Sequence, residues 1–199
     1  STSGLAHVLA VSGLHVGVLV LLIVKLLSLI KCNKHIKMIT LFVLLLFYAY
    51  LTGFTASVVR ASIMSLVLLA SKLYGKEYDA LSSLSLASII VIMFSPLSIF
   101  TAGFQLSFGC VFAIITLSNY IAVLLEKLKL PTKIANALAI SIAVNIGIFA
   151  IMAVHFKTIS FVSIISNLFV LPMFSVCYTL LFACLIFTMF TSVFNFVLI

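Results

Sequence analysis

The sequence predicts an all-α protein, a polytopic bundle of transmembrane helices with about seven spans in one domain over residues 1–199. Three observations predict it. Apolar residues make up 65% of the chain and charged ones 7%, where an ordinary soluble domain carries about 25% charged residues. Mean hydropathy is +1.47. Long apolar runs alternate with short loops, and only every second loop is charged. A soluble globule of 199 residues could not be coated with so little polar side chain. A soluble enzyme, a disordered tail and a disulfide-rich secreted module are thereby excluded.

A helix needs about 17–25 apolar residues to cross a bilayer. The runs at 5–30, 36–53, 56–73, 80–94, 104–125 and 134–155 are read as spans, the fourth of them short. A shorter piece, 160–171, is closed by Pro172. It reads either as a re-entrant half-helix with Ser160, Ser163 and Asn167 on one face, or as the start of a kinked span over about 161–185. A last run begins at Met173. The chain starts without Met and ends inside an apolar run, so it is expected to be a fragment.

The net charge of +8 would suggest a nucleic-acid footprint in a soluble protein. Here topology explains most of it. Lys31, Lys34 and Lys37 occupy the first loop. Lys72 and Lys76, with Glu77 and Asp79, occupy the third, and Glu126, Lys127, Lys129 and Lys133 the fifth. The loops at 52–55 and 95–103 carry no charge. Lysine collects on the cytoplasmic side of membrane proteins, so the odd loops are expected inside and the N-terminus outside. Lys157 is an exception to the alternation. The four cysteines show no CxxC spacing and read as structural thiols; no metal or cofactor is expected.

Polar residues inside spans mark the candidate site, since such groups face a bundle interior or a hydrated cavity. At helical spacing His7, Ser12 and His15 form one polar arc of the first span. Ala6, Ala10, Gly13 and Gly17 form a small-residue stripe suited to close helix packing. The arc has three readings: cavity lining, a Ser12 nucleophile with a histidine base, or buried histidines satisfied by neighbours. No acid lies near enough to orient a base, and two histidines fall short of a zinc site. Arg60, the lone arginine, sits early in its run. It either snorkels to the interface or faces the cavity at its outer mouth. Gln105, Gly109, Phe112, Thr116 and Asn119 share a face of the fifth span, and Ser141, Asn145 and His155 a face of the sixth. Polar stripes on several helices, with Asn167, point to a hydrated interior.

Four stretches carry a resemblance. Gly4-Leu5-Ala6-His7 with Ser12-Gly13-Leu14-His15 comes first, then Thr52-Gly53-Phe54 with Val59-Arg60-Ala61-Ser62-Ile63-Met64. Ser95-Pro96-Leu97 with Ala102-Gly103-Phe104-Gln105-Leu106-Ser107 follows, and then Ser166-Asn167-Leu168 with Leu171-Pro172. In this order the chain, over about residues 3–185, resembles the competence domain of ComEC-type DNA internalisation proteins. The resemblance implies a multi-pass domain of the bacterial inner membrane that passes single-stranded DNA during natural transformation. It implies weak contact with the strand, the lipid bilayer and other competence-machinery proteins as partners, and leaves self-association open. The family's flanking OB-like and metallo-β-lactamase-like domains are not in these residues, and nuclease chemistry does not transfer. Two other functions stay open: an intramembrane enzyme built on His7, Ser12 and His15, and a small-molecule transporter with broken helices.

Overall fold

The computed structural model describes residues 13–29, 33–128 and 130–156, with the single helical positions Cys177, Leu180, Cys184 and Thr188. Among the described residues the elements are all helical: α1 (Gly13–Leu29), α2 (Lys34–Leu51), α3 (Ala56–Tyr74), α4 (Ala80–Phe94), a 3-10 turn (Pro96–Phe100), α5 (Ala102–Lys127) and α6 (Thr132–Phe156). Helices are what hydrocarbon demands, because every backbone N–H and C=O must be satisfied within the segment. The spans predicted at 36–53, 56–73, 80–94, 104–125 and 134–155 fall on these helices, and the first falls on α1 from Gly13 onward, while residues 5–12 and most of the last run lie outside the described residues. Four of them, α2, α3, α5 and α6, are long and apolar enough to cross a membrane. α4, at 15 residues, rises only about 22 Å against a core of about 30 Å. The segment 160–171, with Asn167, lies outside the described residues.

The helix ends follow from local chemistry. α2 stops at Thr52, whose hydroxyl donates to the Tyr48 and Ala49 carbonyls. Gly53 and Phe54 then turn the chain at φ 69° and 52°. The left-handed conformation is unusual for a side chain as large as phenylalanine. The Phe54 N–H donates to Ala49 O at 2.8 Å, which holds it there. α3 ends at Gly75, φ 65°, with the Lys76 N–H reaching Ser71 O at 2.9 Å. Glycine adopts this left-handed cap without a Cβ penalty. Asp79 caps α4 by accepting from the Leu81 and Ser82 N–H groups at 3.3 and 2.9 Å, and from the Ser82 hydroxyl. Thr101 caps α5 by accepting from the Phe104 N–H.

α3 is the hub. On one side Val58 and Leu69 pack with Val16 of α1 and Leu41, Leu45 and Ala49 of α2. On the other, Ala56, Val59, Ile63 and Met64 pack on Leu84, Ala87 and Val91 of α4 and Phe104 and Phe108 of α5. The outer faces of the helices are apolar and exposed, with Phe42, Phe47 and Tyr50 on α2 and Tyr120 and Leu124 on α5. That is the surface a helix shows to lipid.

α5 and α6 form an antiparallel hairpin, the most extensively packed pair in the bundle. Ala135, Ala139 and Ala143 are fully buried at four-residue spacing, and Gly147 continues the row. Gly109 and Ala113 face them from α5: a Cβ on Gly147 would stand 3.0 Å from Gly109 O and closer still to the Ala113 methyl. Small residues at every fourth position let two backbones touch, which is the main source of helix association where burial against lipid gains nothing. Of the expected stripe on the first span, Gly13 lies against α3, where a Cβ would stand 3.3 Å from the Ala61 Cβ. Ala6 and Ala10 lie outside the described residues, and a Cβ on Gly17 would meet nothing within 4 Å.

Two outcomes are expected from this packing. Gly147→Leu should lower the apparent melting temperature of the purified protein, overpacking costing about 1–3 kcal/mol. Gly17→Ala should be neutral or slightly stabilising, since alanine favours a helix over glycine by about 1 kcal/mol. Equal melting temperatures for wild type and Gly147→Leu would remove the seam. The second outcome concerns the α4 cap. The three hydrogen bonds that Asp79 accepts, led by the Ser82 hydroxyl, hold its carboxyl below the usual carboxylate range. A lowered folded value stabilises above the unfolded one and is lost as pH falls through the folded value. Asp79→Ala should therefore melt lower than wild type at neutral pH. The gap should close below about pH 4; a gap independent of pH would mean the carboxylate is not the cap.

Candidate functional site

The charges of the folded bundle are separated end from end. Lys34 and Lys37 open α2, Lys72 closes α3, Lys127 closes α5 and Lys133 opens α6. Successive helices run antiparallel, so these side chains share one end with Lys25 and Lys76. Lys34 Nζ lies 5.3 Å from the Tyr74 ring centroid, joining the start of α2 to the end of α3. The only three acids of the chain, Glu77, Asp79 and Glu126, lie at that same end.

At the opposite end α1, α3 and α5 meet around Arg60. Arg60 is only 8% exposed, so it does not snorkel. Three observations define its surroundings. A Cβ on Gly13 would stand 2.7 Å from Arg60 Nη2 and 3.3 Å from the Ala61 Cβ, so the guanidinium fills the space that a side chain on α1 would need. The guanidinium carbon lies 6.0 Å from the Phe108 ring centroid, over the ring, a cation–π distance. Phe108 is in turn stacked on Phe104 at 4.2 Å. The Arg60 Nε is buried with no hydrogen-bond partner.

No carboxylate can reach this cation. From Arg60 to the end of α3 is about 21 Å of helix, with Glu77 and Asp79 beyond it, and from Phe108 to Glu126 is about 27 Å along α5. Among the described residues the charge is held by the face of Phe108, with no counter-charge beside it. Burying an isolated charge is expensive, and buried charges are ordinarily paired.

A second polar junction joins α5, α6 and the 3-10 turn at the same end. Gln105 donates through Nε2 to Ile99 O at 3.0 Å. Its Oε1 faces His155 Nε2 at 2.9 Å, so His155 donates. Asn145 donates to Ser141 O at 2.8 Å, one turn back on its own helix. Asn145 is ten residues, about 15 Å, from His155 along α6. The structure thus brings Gln105 to His155 and does not bring it to Asn145. His7, Ser12 and Asn167 lie outside the described residues, while His15 is half-buried on α1. An open groove of ≈330 Å³ separates α4 from α5, walled by Phe104, Phe108, Phe112, Ser85 and Ser88 among others.

Sequence reasoning missed three features. The Ala135–Ala139–Ala143–Gly147 row was legible from its spacing alone. Phe108 as the ring under Arg60 was not, because a helix face does not name its neighbour. The buried serine hydroxyls of Ser62, Ser83 and Ser107, which have no partner, carried no sequence signal. Among the described residues no three His, Cys, Asp or Glu side chains cluster as a metal site would need.

Comparison with known proteins places this architecture. ComE operon protein 3 of Bacillus subtilis is 32% identical over 174 residues, covering 87% of this chain and 22% of that protein. The chain therefore spans about a fifth of the length of the curated relative that it matches. No solved structure matches it. The profile of the family described as competence protein matches residues 1–199, and this multi-pass membrane chain belongs to that competence protein family.

Proposed function

We propose that this domain carries single-stranded DNA across the bacterial inner membrane during natural transformation. The observation that carries the reading is the segregation of charge. A polyanion entering at the Arg60 end meets no acidic side chain in the outer part of the bundle, while Arg60 and neutral donors lie there and Lys157 follows the end of α6. It leaves at the end where the lysines gather. Family membership supports the same reading, since the family is described as competence protein. The lysine-rich end is the cytoplasmic one and the N-terminus is outside. His7, Ser12, His15, Arg60, Gln105, Asn145 and Asn167 are the proposed lining, and the other proteins of the competence machinery the proposed partners. Neutral lining holds a strand weakly, and weak holding allows passage.

Orientation is checked by labelling single cysteines in intact cells, on a background without the native ones. Position 76 should react only after the membrane is opened, and position 55 from outside. Outside labelling at 76 would invert the path. Passage is checked by adding a charge. Asn145→Ala removes a donor without adding charge and should leave uptake of labelled DNA within about twofold. Asn145→Asp places a carboxylate in the acid-free region and should lower uptake about tenfold or more at an equal membrane level, a difference of about 1.4 kcal/mol. Normal uptake in Asn145→Asp would defeat the polyanion path.

A further inference from the structure

Among the described residues Arg60 is the charged group that the fold leaves least satisfied. It is 8% exposed, its Nε donor has no partner, and all three carboxylates of the chain are beyond reach at the other end. We infer that Arg60 is an anion-binding site within the membrane domain, and that its ligand class is a tetrahedral phosphoryl oxyanion.

The geometry of the side chain selects that class. Nε and Nη2 share one edge of the guanidinium plane, and two parallel N–H donors on one edge match two oxygens of a phosphate. Nε is the donor left free. Nη2 lies where Gly13 has no side chain, and a methyl there would stand 2.7 Å from it. Glycine at position 13 therefore keeps room for the fork, in addition to letting α1 approach α3. Phe108 presents its ring to the guanidinium at 6.0 Å, which consumes no donor. A hydrogen-bonding side chain in that place would have satisfied the fork internally. An aromatic face stabilises the cation and leaves its N–H groups available.

The phosphoryl group has two sources. When no strand is present the site takes a free inorganic anion, which supplies the missing counter-charge. When a strand passes, successive phosphodiesters displace that anion, and this part rests on the proposed function above. The site is then a stepping point for the backbone, indifferent to base sequence because phosphate contacts carry none.

The test uses the full-length protein in lipid nanodiscs. Inorganic phosphate and a short oligothymidylate are titrated separately while the melting temperature is followed. Wild type should show a saturable rise with each. Arg60→Gln should show none with either. Arg60→Lys, which keeps charge and loses the fork, should bind phosphate about tenfold more weakly. Gly13→Ala keeps Arg60 and crowds Nη2, so it should also weaken phosphate about tenfold, a result that loss of charge cannot produce. An undiminished rise in Arg60→Gln overturns the site, and so does wild type without a phosphate response. If Arg60→Gln does not accumulate, unchanged phosphate affinity in both Arg60→Lys and Gly13→Ala overturns it as well. DNA uptake is measured on the same variants. Lost phosphate binding with normal uptake leaves the anion site standing and removes its role in strand passage.

Discussion

Helices in hydrocarbon gain nothing by burying leucine against leucine, since lipid tails are equally apolar. What remains to hold a bundle is close contact between backbones and the few polar groups that cannot face lipid. Beside the apolar clusters on either side of α3, two junctions of this domain use these. The α5–α6 seam uses contact: three buried alanines and Gly147 on α6 meet Gly109 and Ala113 on α5, so the two backbones approach closely around Gly147. The junction of α1, α3 and α5 uses a charge, placed where the backbone of α1 has been cleared for it by Gly13.

The two modes divide the bundle mechanically. The α5–α6 hairpin has little freedom, because a shift of either helix drives Ala113 or Gly109 into Gly147. The packing of α4 on α5 is of another kind. α4 is short, and an open groove runs between it and α5. α4 is held instead from its other side, where Leu84, Ala87 and Val91 pack on Ala56, Val59, Ile63 and Met64 of α3.

Electrostatics supplies direction. The lysine-rich end follows the rule that governs insertion of any multi-pass protein, and would be present whatever the domain does. The absence of carboxylates from the rest of the bundle does not follow from that rule, because acidic residues contribute little to orientation. A buried arginine in an acid-free bundle is a permanent electrostatic debt, and its persistence in a packed interior argues for a ligand that settles it in use.

Composition and the lysine alternation were enough to establish the helical class, the spans and the charged end, because hydrophobic length and loop charge are properties of the chain read one segment at a time. The four spaced motifs were enough for the family. What each polar side chain touches was not legible. Gln105 and Asn145 looked alike in sequence, both neutral and both on polar stripes, yet Gln105 bridges three elements by joining Ile99 and His155, a pairing that its stripe did not name. Arg60 read equally well as snorkelling or buried, since four residues from a helix start the arginine stem can reach either way. Only the tertiary structure decided it, by setting α1 so close to α3 that the side chain lies in the gap left by Gly13. Periodicity determines which residues share a face. The neighbour that a face meets depends on how separate helices pack, and no single segment of the chain contains that information.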